Sequence, residues 1–433
     1  MRLRAVARIA RAARGERRRG GSRGHARPRS GAKVVVEIAR LASGGDGVGR
    51  LPDGRTVFVP ASAPGDRALI RLTEEKKRFA RGEIVELIDA GPARIEPLCP
   101  AVGVCGGCAW QHLDYATQVE AKQQILRDAV ERIAGRRLDS PPSMTPSPAR
   151  FGYRMRARLL EVDSQLGYRA LRSHAICPVG HCPVLTPELN AELAALGDRV
   201  AATREPGPGS QSEAREAEWE IAVGSDGFAR SSRLDDAGAT EVGDETITLS
   251  VRGHALRVSP GTFFQANGLL HARLLDGVAS AVGTGGGLLE LHAGAGFFTL
   301  ALAAGFERVQ VVESGGAAVR DLRVNLDRAG LTHVEVIEGR AEAVLEARVH
   351  AQPDVLLADP PRAGLGAATV RAICAIAPAR VVYLSCDPAT LSRDIAEFDA
   401  AGYTLRSIAG FDLFPQTPHI EALALLDRNA PPR

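Results

Sequence analysis

The chain has 433 residues, of which 45% are hydrophobic and 24% are charged, a composition typical of a globular protein with about three domains. No apolar run approaches the ~18 residues that a membrane-spanning helix needs, which excludes an integral membrane protein. The net charge of +3 is unevenly spread, because residues 1–32 contain eleven arginines and a single acid.

Residues 1–32 are interpreted as a basic, disordered tail. The tail has no apolar core, so it is not a secretory signal. An RNA-binding arm, an organellar transit peptide and an extension without a role remain open, and the last is favoured. The chain has seven cysteines, an odd number that argues against a disulfide framework and for a reducing, cytoplasmic location.

Residues 33–92 are predicted to form a small β-barrel of the OB type. Short stretches rich in Val, Ile and Leu alternate with Gly-, Pro- and Asp-containing turns, a pattern typical of such barrels. The predicted strands are Val34–Ile38, Arg55–Pro60, Arg67–Leu72 and Gly82–Ile88. The charged stretch Glu74–Arg81 is read as a hairpin tip.

Residues 93–258 form a predicted central α+β domain that opens with a cysteine-rich segment. Cys99, Cys105 and Cys108 are closely spaced, and Cys182 lies downstream. Three such thiolates and a fourth suffice for a structural zinc ion or a 4Fe–4S cluster. The two glycines before Cys108 let the backbone wrap around a bulky centre.

The rest of the central domain is less regular. Helical spacing predicts a helix over Tyr115–Ile133, and the four prolines of Pro141–Pro148 indicate a linker. Strand-like stretches alternate with loops over residues 150–258. Glu205–Ala217 is polar and is predicted to be a mobile loop.

Residues 259–433 are predicted to form an α/β domain with a parallel, Rossmann-like sheet. Apolar strand-like runs alternate there with helical stretches. The runs are Leu288–Leu291, Val309–Val312, Asp354–Ala358, Val381–Leu384 and, last, Ala422–Leu426. Ligands of such sheets bind beyond the carboxyl ends of the strands, where the motifs described next fall.

The first of these motifs is a glycine-rich turn after a strand. Gly294 and Gly296 would let a nucleotide-like ligand approach the backbone, and Glu313, at the end of the next strand, can accept bonds from ribose hydroxyls. Thr299 occupies the position of the third glycine of dinucleotide-binding turns, which argues against a nicotinamide cofactor. A plain tight strand–helix turn is about equally consistent with the motif.

Three further motifs place reactive side chains at strand ends. Asp359 precedes two prolines that fix its loop, although the same residues also suit a simple helix entry. Cys386 lies between a strand and a helix, where the helix dipole favours a thiolate unless Asp387 points towards it. Glu421 opens the last strand and is either a general base or a surface acid.

Taken in order, these motifs resemble those of the RNA 5-methyluridine methyltransferase family over residues 33–427. The most specific are Cys-x5-Cys-x2-Cys, Ser-Pro-Gly-Thr-Phe-Phe-Gln ending at Gln265, Asp-Pro-Pro-Arg-Ala-Gly, Ser-Cys-Asp-Pro-Ala-Thr and Phe-Pro-x-Thr-x-His-x-Glu. The resemblance implies a class I methyltransferase domain, an OB-like TRAM barrel and a central iron–sulfur domain. It also implies S-adenosylmethionine as cofactor.

The resemblance also implies roles for individual residues. Cys386 would add to carbon 6 of uracil so that carbon 5 can take the methyl group, and Glu421 would remove the carbon 5 proton. Gln265 and Asp359 would lie at the reacting end of the cofactor. Gly294, Gly296 and Glu313 would hold the rest of the cofactor. The implied cluster ligands are Cys99, Cys105, Cys108 and Cys182, with Cys177 a nearby extra thiol.

Three cofactor-binding positions depart from the family pattern. His292 replaces the usual aromatic residue of the glycine turn, Phe297 replaces the usual asparagine after it, and Arg340 replaces the Asp or Asn that meets the adenine. Loss of one adenine hydrogen bond costs ~1 kcal/mol. The other residues of the reaction set remain, which favours an active enzyme.

The substrate implied by the resemblance is a uridine in RNA, with 23S rRNA favoured because family members with both barrel and cluster mostly modify it. The base must leave its stack to be reached. The alternatives are tRNA as the substrate, a non-catalytic RNA-binding protein and, least favoured, a nicotinamide oxidoreductase. A monomer without membrane partners is expected.

Overall fold

The computed structural model describes residues 31–202, 216–234, 246–347 and 353–429. The basic tail up to residue 30 and the loop predicted from Glu205 up to residue 215 lie outside these ranges. Two units are formed, the first from the residues up to Ala121 with Tyr168–Pro178 and Pro415–Pro418, and the second from the rest. Across the described ranges, none of the helices combines the length and the apolar character that membrane crossing requires.

The first unit contains the predicted barrel. It is closed, with the strand order β1-β2-β3-β5-β4, and its strands are β1 (Lys33–Leu41), β2 (Gly47–Arg50), β3 (Thr56–Val59), β4 (Arg67–Glu75) and β5 (Phe79–Asp89). Alternate side chains such as Val36, Val57 and Ile70 point inwards and are buried. The expected OB-like barrel is therefore confirmed.

One barrel strand, β2, was not predicted because its glycines resemble a turn. A Cβ added to Gly47 would lie 2.8 Å from a methyl group of Ile38 and even closer to the Ser62 side chain. The glycine therefore permits close packing inside the barrel.

The helices of the chain are α1 (Tyr115–Arg132), α2 (Pro187–Ala202), α3 (His271–Val282), α4 (Thr299–Leu302), α5 (Gly316–Ala329), α6 (Ala341–Ala347), α7 (Gly366–Ile376) and α8 (Pro388–Ala400). The predicted helix from Tyr115 is thus confirmed as α1. The region predicted as strands and loops contains α2 in addition. Its buried residues Leu189, Leu193, Leu196 and Val200 have helical spacing, which the sequence interpretation overlooked.

Two smaller sheets are formed between residues 156 and 258. Their strands are β7 (Arg156–Val162), β8 (Gln165–Arg169), β9 (Ile176–Pro178), β10 (Glu216–Val223), β11 (Ala229–Leu234), β12 (Ile247–Val251) and β13 (His254–Val258). The first sheet has the order β11-β10-β7-β8-β9, and the second is the hairpin β12-β13.

The largest sheet has eight strands in the order β16-β15-β14-β17-β18-β20-β19-β6. Its strands are β6 (Ser143–Thr145), β14 (Gly285–Leu291), β15 (Phe306–Glu313), β16 (Val334–Glu338), β17 (Val355–Ala358), β18 (Arg380–Ser385), β19 (Tyr403–Phe411) and β20 (Glu421–Arg428). The strands β16 to β18 are parallel, as predicted, whereas β20 is antiparallel to both of its neighbours.

The interpretation of Pro141–Pro148 as a linker was wrong in part. Its central residues form β6, which pairs in parallel with β19 at the edge of the large sheet. An edge strand of three residues needs few ladder hydrogen bonds, so the flanking prolines are tolerated.

Both faces of the large sheet are covered. Leu288, Val311 and Leu357 belong to one buried apolar cluster, whereas Leu289 and Leu356 belong to another. Consecutive residues of a strand point to opposite faces, so the apolar runs follow from burial on both sides. This arrangement leaves the ends of the strands as the place for polar side chains.

Candidate active site

The register of the large sheet brings three predicted site residues together at the ends of neighbouring strands. Ala358 at the end of β17 pairs with Tyr383 of β18, and Ser385 of β18 pairs with Ala422 of β20. Because β20 runs antiparallel, its amino end meets the carboxyl ends of β17 and β18. Asp359, Cys386 and Glu421 therefore project from neighbouring strand ends.

Cys386 is a half-buried thiol in an acidic environment. Burial raises its pKa to about 11, the charges of Glu421 and Asp359 also raise it, and Arg362 acts in the opposite direction. Asp387 is turned towards the helix, because its carboxylate accepts hydrogen bonds from the amides of Ala389 and Thr390 at 2.9 Å and caps α8. The amides at the start of α8 are thus engaged by this cap.

Glu421, which is buried, and Asp359, which is half-buried, form a pair of interacting carboxyl groups. Burial raises the pKa of Asp359 to about 7, and it raises the pKa of Glu421 well above its usual value, with the charge of Asp359 adding to the effect. Glu421 Oε1 is buried and has no hydrogen-bond partner among the described residues. A buried oxygen atom of this kind is suited to accept a hydrogen bond from a ligand.

Gln265 lies beside one of these carboxyl groups, that of Asp359. Its Nε2 lies 3.5 Å from Asp359 Oδ2, and its Oε1 is buried with no partner in the described part of the chain. The buried His271 ring donates to the Gln265 carbonyl at 2.7 Å, and Asp321 accepts bonds from the amide and hydroxyl of Ser259. The segment that carries Gln265 is therefore fixed at both ends.

The glycine turn joins β14 to α4. Gly294 and Gly296 have φ values of +57° and +96°, and a Cβ on Gly296 would lie 2.8 Å from Leu322 Cδ1. Glu313, at the end of β15, accepts a 2.8 Å hydrogen bond from the Gly294 amide. The turn and this carboxylate thus form a cradle that a side chain at either glycine would narrow or strain.

The three positions that depart from the family pattern lie in different surroundings. His292 has a left-handed backbone with φ of +61°. Phe297 is buried and packs its ring edge-on against His271, with the ring centroids 5.1 Å apart. The Arg340 side chain is 80% exposed and forms a 3.6 Å ion pair with Glu342.

The cysteines are divided between the two units. In the first unit, a hairpin that contains Cys177 is joined to the cysteine-rich loop, because the Gly106 amide donates to the Arg169 carbonyl at 3.0 Å. The Cys177 thiol is hydrogen-bonded to Cys105 and interacts electrostatically with Cys99. In the second unit, Asn190 accepts a 2.8 Å hydrogen bond from the Cys182 amide.

Two buried ionisable features of the second unit are not among the predicted site residues. Glu290 lies inside β14, where burial raises its pKa to about 8, and Thr299 donates a 2.7 Å hydrogen bond to it. Lys122 of α1 forms a fully buried 2.5 Å ion pair with Asp412, in the loop before Glu421. An acid inside an apolar strand is a signal for the first, but no local pattern links Lys122 to Asp412.

The parallel sheet, its glycine turn and the group of Cys386, Glu421 and Asp359 define a class of protein. The class is a Rossmann-like methyltransferase with a thiol and a carboxyl pair beside its cofactor cradle. A family model described as tRNA (Uracil-5-)-methyltransferase matches residues 228–429, and a TRAM domain model matches residues 29–85.

Full-length relatives give the same result. The chain is 33% identical to the 23S rRNA (uracil(1939)-C(5))-methyltransferase RlmD of Edwardsiella ictaluri, over 92% of this chain and 96% of the relative. It is also 33% identical to an uncharacterized RNA methyltransferase of Thermosynechococcus vestitus, over 92% and 98% of the two chains. The chain therefore belongs to the RNA uracil-5-methyltransferase family.

A solved structure is similar over most of the chain. It is the Pyrococcus abyssi tRNA (uracil-54, C5)-methyltransferase in complex with S-adenosyl-L-homocysteine, with a TM-score of 0.70 and 25% identity. The alignment covers 90% of this chain and 100% of the other. The likeness supports S-adenosylmethionine as the cofactor of this enzyme.

Proposed function

We propose that this enzyme methylates carbon 5 of a uridine in 23S rRNA through a covalent adduct with Cys386. The observation that carries the proposal is the meeting of Cys386 with Glu421 and Asp359 at one sheet edge. The rRNA substrate is supported by the name of the Edwardsiella relative and by the TRAM model match.

The residues of the site fit the cofactor. S-adenosylmethionine, when bound, supplies an electrophilic methyl group. Gly294, Gly296 and Glu313 would cradle its nucleoside part, because the left-handed backbone of the two glycines shapes the turn and the carboxylate is suited to ribose hydroxyls. Gln265, whose buried Oε1 has no partner in the described ranges, and Asp359 would lie at its reacting end. His292, Phe297 and Arg340 are assigned to the remainder of this pocket.

Cys386 supplies the nucleophile for the reaction. The S–H proton passes to solvent water, Sγ forms a bond to carbon 6 of uracil, and the electron pair of the C5–C6 double bond moves to carbon 5, where it can form the bond to the methyl group. The high pKa of the thiol means that only a small fraction is ionised near neutral pH. Addition therefore needs groups that stabilise the thiolate when the substrate is bound.

Glu421 resolves the adduct. After carbon 5 has gained the methyl group, the Glu421 carboxylate accepts its proton, the C–H electron pair restores the C5–C6 double bond, and the C6–S bond breaks to release the Cys386 thiolate. Burial raises the pKa of Glu421, which makes the ionised form a stronger base.

The proposal is tested by methyl transfer to unmodified 23S rRNA and to unmodified tRNA from labelled S-adenosylmethionine, with each RNA digested to nucleosides. We expect labelled 5-methyluridine from 23S rRNA alone. Cys386→Ala is expected to abolish the label, whereas Cys374→Ala, the matched control on α7, retains it. Label from tRNA alone would contradict the substrate. No label from either RNA with folded protein would favour the non-catalytic RNA-binding alternative.

We further propose that Cys99, Cys105, Cys108 and Cys182 hold a 4Fe–4S cluster. Across the ranges that the structure describes, no three Cys, His, Asp or Glu side chains are grouped as ligands of one metal ion. The support for the proposal is the close sequence spacing of Cys99, Cys105 and Cys108, which suits a centre held by several thiolates. The Cys177 thiol, beside Cys105, is the competing fourth ligand.

Iron and acid-labile sulfide in anaerobically purified protein test this assignment. We expect about four irons per chain, loss of iron in Cys182→Ser and its retention in Cys177→Ser. The reverse pattern would make Cys177 the fourth ligand. A colourless protein that contains zinc would contradict the cluster.

A further inference from the structure

Arg362 lies beside the turn that carries Cys386. It follows Asp359 and two prolines, and its carbonyl accepts a 3.2 Å hydrogen bond from Thr390 Oγ1 in the first turn of α8. Arg393 of the same helix donates a 2.9 Å bond to the next carbonyl, that of Ala363. The loop with the arginine is thus attached to the helix that begins directly after Cys386.

The Arg362 side chain has a neutral partner. Its Nη2 lies 3.3 Å from Nε2 of His419, whose ring packs edge-on against Phe414. Burial lowers the pKa of His419 to about 4, and the cations Arg362, Lys122 and Arg154 lower it further, with Asp387 acting in the opposite direction. A neutral imidazole orients the guanidinium and leaves its positive charge in place. A carboxylate partner would neutralise that charge.

Ionisation of the Cys386 thiol requires a positive charge nearby, because its other charged neighbours are acidic. Among the charged groups of the described residues that act on the thiol, Glu421 and Asp359 oppose its ionisation and Arg362 favours it. The amides of Ala389 and Thr390, at the start of the helix, are engaged by Asp387.

We propose that Arg362 is the cation that stabilises the Cys386 thiolate during addition to uracil, and that His419 is the residue that positions it. This inference rests on the proposed function. Arg362 is exposed in the free protein, where water screens its charge. A bound nucleotide that excludes water strengthens the attraction between guanidinium and thiolate.

The test measures alkylation of Cys386 by the neutral reagent iodoacetamide, by mass spectrometry, from pH 7 to 10. Arg362→Met is expected to slow alkylation about threefold at a given pH, equivalent to half a pKa unit, and Arg362→Lys to retain the rate within about twofold. We expect kcat for methyl transfer in Arg362→Met to fall about tenfold or more, and KM for RNA to change less. Mass spectrometry follows the peptide that contains Cys386 and so separates it from the other six cysteines. Cys374→Ala, which removes another half-buried thiol of the same domain, is the common background.

His419 provides a second pair of variants. His419→Phe keeps a ring against Phe414 but removes the acceptor, so alkylation is expected to slow. His419→Gln keeps an acceptor and is expected to restore the rate. If Arg362→Met fails to fold, this pair still tests the proposal.

Two results would overturn the inference. An unchanged alkylation profile with a raised KM would make Arg362 a contact to RNA phosphate only. Equal rates in His419→Phe and His419→Gln would remove the positioning role. Alkylation needs neither RNA nor cofactor, so a wild type that alkylates as expected but makes no 5-methyluridine contradicts the proposed function alone.

Discussion

The two ends of the site are built differently. The reacting end, formed by Asp359, Cys386 and Glu421, contains buried or half-buried ionisable groups whose pKa values are shifted by burial and by one another. The glycine-turn end relies more on backbone shape and apolar packing. Its carboxylate, Glu313, accepts a hydrogen bond from the Gly294 amide, and its arginine, Arg340, is 80% exposed. Substitutions at the reacting end alter strong electrostatic interactions, whereas an exposed position of the other end tolerates a new residue at small cost.

The largest effect is expected at the reacting end. Glu421→Gln removes the base but leaves the nucleophile, so kcat is expected to fall by about 10²–10⁴. Because the adduct forms but is not resolved, a denaturation-resistant protein–RNA complex is expected to accumulate on gels. The double variant Cys386→Ala/Glu421→Gln is the control and forms none. A Glu421→Gln enzyme with normal turnover would remove the base from the mechanism.

The buried ion pair next to this end is expected to dominate stability. Lys122→Met leaves the buried Asp412 carboxylate without its cation and is expected to lower the free energy of unfolding by about 3–5 kcal/mol in urea. Arg323→Met, which breaks an exposed pair with Glu338, is the control and changes it by less than ~1 kcal/mol. Equal losses of unfolding free energy in the two variants would contradict the expected difference between a buried and an exposed ion pair.

Glu290 extends the electrostatic comparison to the strand before the glycine turn. Its pKa is about 8 in the folded protein against an ordinary value of 4.5, so between these pH values the folded chain keeps a proton that the unfolded chain has lost. Its contribution to stability is therefore lost as the pH rises through this window.

Glu290→Gln mimics the protonated form and removes this dependence. The stability of the variant relative to the wild type is expected to rise by roughly 2–4 kcal/mol between pH 5 and pH 8.5. Urea unfolding of both proteins at several pH values measures it. Parallel curves would show that Glu290 is ionised in the folded protein.

The smallest effect is expected at Arg340. Arg340→Asn restores a side chain able to hydrogen-bond an adenine and is expected to tighten S-adenosylmethionine binding about fivefold, or ~1 kcal/mol. Calorimetric titration measures the affinity, with Arg328→Asn, at an exposed position on α5, as control. Weaker binding in Arg340→Asn would mean that the arginine itself contacts the cofactor.

Local patterns predicted much of the fold. Alternating and continuous apolar runs located the barrel and the parallel strands, and the positions after those strands located Asp359 and Cys386. Strand β6 was missed because the prolines around it indicate a linker. Its three residues form a strand only through pairing with β19, which is distant in the chain. The Arg362–His419 contact joins residues 57 positions apart, a separation at which no spacing rule applies.

The position of β20 has a consequence for biosynthesis. This strand inserts between β18 and β19, both of which precede it in the chain. When β19 has been synthesised but β20 has not, the edges of β18 and β19 that later pair with β20 have no partner. Unpaired strand edges of this kind promote aggregation. Pairing of β20 with β18 also places Glu421 beside Cys386, so the sheet and the proposed catalytic pair are completed in one folding event.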